Sequence, residues 1–425
     1  MAHQKGRKSL SINKSDLYEP WKDLKNNLIL AVNCGSSSIK VSLFEYDSKV
    51  YHRLFDANLK GINTDKSILE ITSSKGKEIF PSSTSLDVMQ GLKFIFHTIT
   101  HNFNFSFISL IGIGHRFVHG GNQYCSSVCI DSKIIAELEK LSELAPLHNE
   151  ACLSGIKECL SLNGSVPQVA IFDTAFHQTL PAIAANYAIP SDISLKYQIK
   201  RYGFHGISHA FLWDTYKKHT EKGFTNSKVI TLHLGNGCSI TAISGGKSID
   251  TSMGFTPAEG LIMATRAGDI DTGVIEFLCQ HDKKTPSQIM EMLNLHSGLL
   301  GISGISSKLE TLLNLYHENE KAKLAIDMFC YRIVKYLGAY IAVLGGVEAI
   351  IFSGGIGENS STIREQIVSK MGWYGLKLDK KANQEAVGLY PGNMQKISLS
   401  DSIASLYVIA SDENLFIAKE VQHLV

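Results

Sequence analysis

Four apolar runs of strand length each stop abruptly at a loop of small or polar residues. Leu28-Ile-Leu-Ala-Val32 runs into Asn33-Cys-Gly-Ser-Ser-Ser38, and Val169-Ala-Ile-Phe172 ends on Asp173. Val229–Leu234 ends on Gly235-Asn236-Gly237, and Ala349–Phe352 on Ser353-Gly-Gly-Ile-Gly357. Runs this short, bounded by such loops, read as buried strands. Two more strands are expected at Ile39–Tyr46 and Leu406–Ile409, and a further one over Ser109–Ile113. Helical patterns fall between them, at Leu86–His101, Asn149–Leu162, Ser208–His219, Ala322–Leu344 and Ser361–Met371, with a capped helix over Asp412–His423. Strands alternating with helices predict an α/β protein with layered sheets.

The chain has 425 residues, too many for one ordinary core. The strand-then-loop design appears early and recurs near residue 230, which predicts two related domains flanking an interdomain cleft. Residues 1–27 are polar and Lys-rich and read as a flexible extension with a short helix near Trp21. Residues 28–175 with 408–425 are expected to form domain I, and 176–407 domain II.

Hydrophobic residues make up 44% and charged residues 19%, enough apolar material for full cores. Lys and Arg number 41 against 40 acidic residues, a net charge of +1. That balance argues against a nucleic-acid or membrane-surface partner. An anionic ligand must then be held by a few placed cations. Eight scattered cysteines form no CxxC pair, as in a cytoplasmic protein with reduced thiols. The most apolar long segment, Leu324–Val347, carries Asp327, Arg332 and Lys335 and reads as a buried helix.

Asn33-Cys-Gly-Ser-Ser-Ser-Ile-Lys40 combines Gly, three serines and a cation, which together can form a concave anion site. Alone it reads equally well as a Ser-rich β-turn. His233-Leu-Gly-Asn-Gly-Cys-Ser239 is a second small-residue turn. Ser353-Gly-Gly-Ile-Gly-Glu-Asn359 is a third, leading into a helix and suited to phosphate. Neither P-loop nor dinucleotide spacing is present. Three such loops in one chain point to a polyphosphate ligand.

Gly114-His-Arg-Phe-Val-His-Gly-Gly121 carries Arg116, and Thr265-Arg-Ala-Gly-Asp-Ile-Asp271 carries Arg266. A guanidinium binds carboxylate or phosphoryl oxygens bidentately. Either arginine can also be read as structural: Arg116 in a strand-end ion pair, Arg266 beside a capped helix start. Asp173 follows a strand, His205 sits in a Gly-flanked turn, and His209 lies in the helix beyond. With 16 histidines, most are structural. No GxSxG elbow supports a Ser-His-Asp hydrolase.

NCGSSSIK, GHRFVHGG, APLHNE, FDTAFHQ, YGFHGISH, HLGNGCS, DTSMGFTPAEGL, TRAGDID, SGLLGISG and GGIGENS run in order from Asn33 to Ser360. In this order the chain resembles the acetate kinase family. That resemblance implies the ribonuclease-H-like fold of the actin, heat-shock ATPase and sugar-kinase superfamily, with domain II binding the nucleotide. It implies reversible transfer of the γ-phosphoryl group of ATP to acetate, giving acetyl phosphate and ADP. It further implies Mg²⁺ (with Mn²⁺ as a substitute) and a cytoplasmic homodimer.

Residue by residue, the resemblance gives Arg116 and Arg266 the carboxylate and the transferring phosphoryl group. Asp173 is then the essential carboxylate, and His205 steadies the transition state. Asn33, Ser36, Ser38 and Lys40 match the first phosphate loop. His233, Leu234, Gly235, Asn236 and Gly237 match further nucleotide- and phosphate-binding positions, and His148 another cleft position. Gly355, Ile356, Gly357 and Asn359 match the adenosine-side loop. Asn33 and Glu413 are the metal positions. Val118, Leu147, Phe204 and Pro257 match a small apolar acetate pocket.

The chain departs from the family pattern in two places. Lys308 and Glu310 stand where a ribose-binding acid and an arginine are usual, and Asn414 follows Glu413 where a second acid is common. The alternatives are therefore a propionate or butyrate kinase, a kinase using pyrophosphate or another nucleotide, and a non-catalytic nucleotide-binding regulator.

Overall fold

Leu28–Cys34 (β1) is buried at every position, and that requires cover on both faces. In the computed structural model it is the centre of an eight-stranded sheet. The structure describes residues 27–425 except 36, 104, 106, 108, 109 and 221–223. The expected extension and its helix near Trp21, together with Ser36, lie outside the described residues.

Two units divide the chain. One comprises the chain up to Phe117, Ser127–Ile171 and Asn414–Val425; the other comprises Val118–Ser126 and Phe172–Glu413. In the first sheet, β1 pairs with Ser38–Asp47 (β2) across a tight turn, followed by Val50–Lys60 (β3), Ile68–Ser73 (β4) and Gly76–Pro81 (β5). On its other side β1 pairs in parallel with Leu110–Phe117 (β6). Beyond β6 lie Gln168–Phe172 (β8) and, at the edge, Val128–Cys129 (β7).

The second sheet follows the same plan. Lys228–Leu234 (β9) forms a hairpin with Cys238–Ser244 (β10), which pairs with Lys247–Thr251 (β11). Ala349–Ser353 (β12) is parallel to β9, and Ser405–Ile409 (β14) is parallel to β12. Met394–Lys396 (β13) closes the edge. The orders β3-β2-β1-β6-β8 and β11-β10-β9-β12-β14 correspond strand for strand. This repeat carries the expected fold class.

Three local readings change. Parallel pairing with β1 continues through Val32 opposite His115, so β6 outruns the expected Ser109–Ile113 and carries Arg116 on the strand itself. Ser109 lies outside the described residues. Val408 and Ile409, expected in the first domain, lie in β14, where Val408 pairs with Phe352 in the second sheet. Gly354–Asn359 is not a turn leading into a helix but a short helix of its own, directly followed by the helix Ser361–Ser369.

Two side chains, Glu358 half-buried and Arg364 buried, force that last outcome. One carboxylate oxygen of Glu358 accepts from Gly354 N, Ser353 Oγ, Ser411 N and Ser411 Oγ at 2.9–3.1 Å. Arg364 is fully buried, and its five N–H donors are matched by five acceptors. They are the carbonyls of Gly357, Glu358, Asn383 and Ala386 and the Asn383 side-chain oxygen, at 2.6–3.0 Å.

The helix Glu320–Leu344 is capped by Asn319, which accepts from the N–H groups of Lys321 and Ala322, and it ends on Gly345 in the left-handed conformation. Its buried stripe of Ala322, Ala325, Ile326, Phe329, Ile333 and Leu337 repeats every three or four residues. It packs on β9 and β10. No helix among the described residues is long and apolar enough to cross a membrane.

Replacing Arg364 by Leu strips five acceptors of their donors, and each stranded buried group costs about 1–3 kcal/mol. Arg364→Leu is therefore expected to lower stability by at least about 3 kcal/mol. Urea unfolding of the variant measures this; an unchanged midpoint would refute the anchoring role.

Candidate active site

Within the first unit, the chemistry-bearing residues cluster at the ends of β1 and β6. Asn33 is buried at the end of β1 and lies opposite Lys40 in the β1–β2 register. The turn between them is closed by Gly35 N donating to Ser38 O at 2.9 Å. Ser38 is half-buried and Lys40 exposed.

Arg116 lies on β6, and its Nη1 donates to Asn33 Oδ1 at 3.1 Å. Side chains two apart on a strand share a face, so Gly112 and Gly114 lie on Arg116's side. Side chains there would collide with Ile417 and Val421 of the helix Glu413–Leu424. The glycines thus let that helix close on the sheet. His115 points the other way and donates to Gln168 Oε1 at 2.8 Å, and burial pushes its pKa down to about 4. His148 is half-buried in the first turn of the helix Pro146–Leu162. Leu147 precedes it, with a side chain outside the described residues.

In the second unit, Asp173 follows β8 and is buried. Its carbonyl accepts from Gly206 N at 2.8 Å. A Cβ at residue 206 would collide with that carbonyl, so the contact demands glycine. His205 precedes Gly206 with φ +57°, a left-handed conformation uncommon for a side-chain-bearing residue. There it starts the helix Gly206–His219. Its Nδ1 hydrogen-bonds Ser239 Oγ at 2.9 Å, and its ring lies 4.2 Å from that of His233. His233 Nδ1 in turn meets Ser208 Oγ at 2.8 Å.

Gly237 brings the turn between β9 and β10 against both reactive groups. A Cβ there would lie 3.3 Å from His205 Nε2 and 3.8 Å from Arg266 Nη1. The imidazole and the guanidinium therefore border one small space. Asn236 O accepts from Ala264 N at 3.1 Å, which ties this turn to the Arg266 segment. Arg266 donates from Nη1 to Pro257 O at 3.3 Å. Burial lowers its pKa, yet among the described residues no carboxylate pairs with it. Its Nε and Nη2 donors meet no acceptor among those residues. A half-buried cation left in that state is a site for an anion.

The stretch carrying Pro257 is clamped from outside. Tyr187 and Arg201 both bond to Glu259, and Arg201 Nη1 donates to the carbonyls of Thr251, Ser252 and Met253 at 3.0–3.2 Å. Phe204 and Val118 are buried, and the Phe204 ring meets His119 edge-on at 5.5 Å. Three of the four expected acetate-pocket residues, Val118, Phe204 and Pro257, thus belong to this unit.

Gly354 presses on Leu234 with φ +76°, and Gly235 lies beside Gly355. The expected residues Gly355, Ile356, Gly357 and Asn359 all belong to the short helix Gly354–Asn359. Asn359 bonds Gly355 O and accepts from Gly388 N. Glu413 is half-buried at the start of the last helix. Lys308 and Glu310 are exposed at the start of the helix Leu309–Asn314. Among the described residues no three His, Cys, Asp or Glu side chains form a metal-ligating group.

Sequence reasoning missed the supporting shell: Thr231, Ser239, Arg201, Glu259, Glu358 and Arg364. Thr231 and Ser239 left a trace as polar residues in otherwise apolar strands, and Ser239, Glu259 and Glu358 lie within the family motifs.

A family model described as the acetokinase family matches residues 28–419. The chain belongs to the acetokinase family. Its members are phosphotransferases that use a carboxyl group as acceptor. An acetate kinase of Halothermothrix orenii is 41% identical over 401 residues, covering 93% of this chain and 99% of the relative. An acetate kinase structure from Porphyromonas gingivalis is 37% identical with a TM-score of 0.85, covering 94% and 99% of the two chains. A propionate kinase structure from Francisella tularensis is 36% identical with a TM-score of 0.86, covering 94% and 100%. Acetokinase members therefore share this chain's two-sheet architecture along almost its whole length.

His115 and His177 are buried with pKa values pushed down to about 4 by desolvation. The unfolded chain binds protons on them near pH 6.5, so folding favours their neutral forms. Their contribution is present above that pH and is lost as pH falls through the folded values. Each is worth up to about 3 kcal/mol at neutral pH. Urea midpoints are expected to drop between about pH 6.5 and pH 5, before most carboxylates titrate. A flat midpoint over that interval would contradict neutral burial.

Proposed function

We propose that this acetokinase-family enzyme moves the γ-phosphoryl group of ATP reversibly to acetate. The products are acetyl phosphate and ADP, formed by direct in-line transfer without a phosphoenzyme. The observation that carries this reading is Arg266. Its guanidinium is half-buried, lacks a carboxylate partner among the described residues, and shares the space beside Gly237 with His205.

The chemistry asks for little else. Phosphoryl transfer spreads negative charge over the equatorial oxygens, so the protein positions groups and stabilises charge. Arg266 and the imidazole N–H of His205 are donors for those oxygens, and Arg116 holds the acetate carboxylate. Acetate already carries its nucleophilic oxygen, so Asp173 serves to orient water or metal and removes no proton. Val118, Leu147, Phe204 and Pro257 offer apolar surface for the methyl group. One extra methylene changes affinity by only about 1–3 kcal/mol, so propionate is a slower substrate.

Ser36, Ser38 and Lys40 are assigned to the phosphates. His148, His233, Leu234, Gly235, Asn236 and Gly237 are assigned to the ligand side, and Gly355, Ile356, Gly357 and Asn359 to the adenosine side. Magnesium suits oxygen donors and keeps several waters and substrate phosphates in its shell. Asn33 Oδ1 and the Glu413 carboxylate fit that chemistry, with Mn²⁺ as a substitute. When bound, the ion would neutralise phosphate charge. Eight free thiols fit a cytoplasmic setting. A homodimer fits the exposed Leu324, Met328 and Tyr331, which follow one another along the helix Glu320–Leu344.

Arg116→Ala and Arg266→Ala are each expected to lower kcat/KM by at least about 100-fold in a hydroxamate assay with acetate, ATP and Mg²⁺. Wild-type turnover by either variant would defeat the assignment. Transfer with chiral phosphate should invert configuration; net retention would rule out the direct route. A donor panel of ATP, other nucleotides and pyrophosphate tests the consequence of Lys308 and Glu310. Faster transfer from pyrophosphate than from ATP would replace ATP as the donor.

A further inference from the structure

His205 can donate a proton toward a phosphoryl oxygen from Nε2 only if its other nitrogen gives up the proton or the ring is a cation. What surrounds Nδ1 therefore matters. Nδ1 meets Ser239 Oγ at 2.9 Å, and the same hydroxyl meets His209 Nε2 at 2.8 Å. On its far side, His209 Nδ1 meets Thr231 Oγ1 at 2.7 Å. The four side chains form one chain: Thr231, His209, Ser239, His205. The strand geometry builds it. Thr231 and His233 share a face of β9, Ser239 pairs with His233 across the hairpin, and the helix Gly206–His219 brings His209 onto that face.

The direction of the hydrogen bonds follows from Thr231. It is fully buried, and among the described residues its hydroxyl has one partner, His209 Nδ1. Were His209 to donate from Nδ1, the Thr231 proton would be buried without an acceptor, which is costly. Thr231 therefore donates to Nδ1. His209 is fully buried and neutral, so its one proton sits on Nε2 and is donated to Ser239 Oγ. Ser239 then donates to His205 Nδ1. That leaves the neutral His205 ring with its proton on Nε2, the atom bordering Gly237 and Arg266.

We propose that Thr231, acting through His209 and Ser239, locks His205 in the Nε2–H tautomer and is a positioning residue for phosphoryl transfer. This rests on the reading of His205 as a donor to the transferring group. Without the Thr231 hydroxyl, the chain can reverse. Neutral His205 then holds its proton on Nδ1 and turns a bare lone pair toward the phosphoryl oxygens. Protonating the ring restores a donor at Nε2 whichever way the chain runs.

Other groups around His205 titrate or carry charge: His233 from β9, Cys238 from β10, Arg266, Asp173, and His177 from the turn after β8. Burial pushes the Cys238 thiol up to about 12 and the His177 imidazole down to about 4. All of them are the same in wild type and variant, so the ratio of the two activities isolates the tautomer.

The test uses the full chain. Thr231→Val keeps the shape and removes the hydroxyl. Its kcat is expected to fall about 10–100-fold at about pH 8, with KM for acetate and ATP little changed. Thr231→Ser should restore the wild-type profile. In wild-type protein labelled with ¹⁵N-histidine, the His205 signals should show a bare Nδ1 and a protonated Nε2. A protonated Nδ1 in neutral wild-type His205, or a Thr231→Val kcat equal to wild type, would overturn the proposal. The nitrogen signals do not depend on turnover. If they show Nε2–H while His205→Gln keeps full activity, the catalytic reading of His205 fails and the tautomer lock stands.

Discussion

The hydrogen bond from Gly206 N to Asp173 O holds the second unit's reactive groups together. It fixes the residue after β8 against the first residue of the helix Gly206–His219. No Cβ fits at residue 206, and the close approach sets His205 in a left-handed conformation at the helix start. From that position the imidazole reaches Ser239, stacks beside His233 and borders Gly237 with Arg266. One backbone contact thus places an aspartate, a histidine and the near side of an anion site. Strained backbone of this kind persists only where its surroundings over-determine it.

Those surroundings are mostly polar groups held, half-buried or buried, by their partners. Glu358 gathers four donors on one oxygen, and Arg364 matches all its donors to carbonyl and amide oxygens. Arg201 and Tyr187 hold Glu259 and with it the loop that carries Pro257. Such groups are costly when unpaired and rigidifying when fully satisfied. They are spent on holding loops still where phosphoryl transfer needs fixed donors, since little else is asked of the protein. Arg266 is the exception: a half-buried cation without a counter-ion among the described residues.

The sequence made the strands legible because they are apolar end to end. β1, β8, β9 and β12 begin and end within about two residues of the runs that announced them. β3, β4 and β5 were not read, since their alternating pattern on an edge-side meander is diluted by exposed polar residues. The segment Ser353–Asn359 looked like a turn because its glycines suit one. It is helical because Glu358 and Arg364 satisfy its ends, and neither partner is visible from local composition.

The sequence by itself determined the family, through ten motifs in order. It also determined the doubled strand-and-loop plan, because burial on both faces leaves a mark at every position of a strand. Only the tertiary structure decided how the reactive groups are held. Thr231, His209, Ser239 and His205 come from two strands and a helix start, and their hydrogen bonds set which nitrogen of His205 carries its proton. Direction along such a chain depends on whether its last hydroxyl has any other acceptor. That is a property of the folded surroundings, and no spacing in the sequence encodes it.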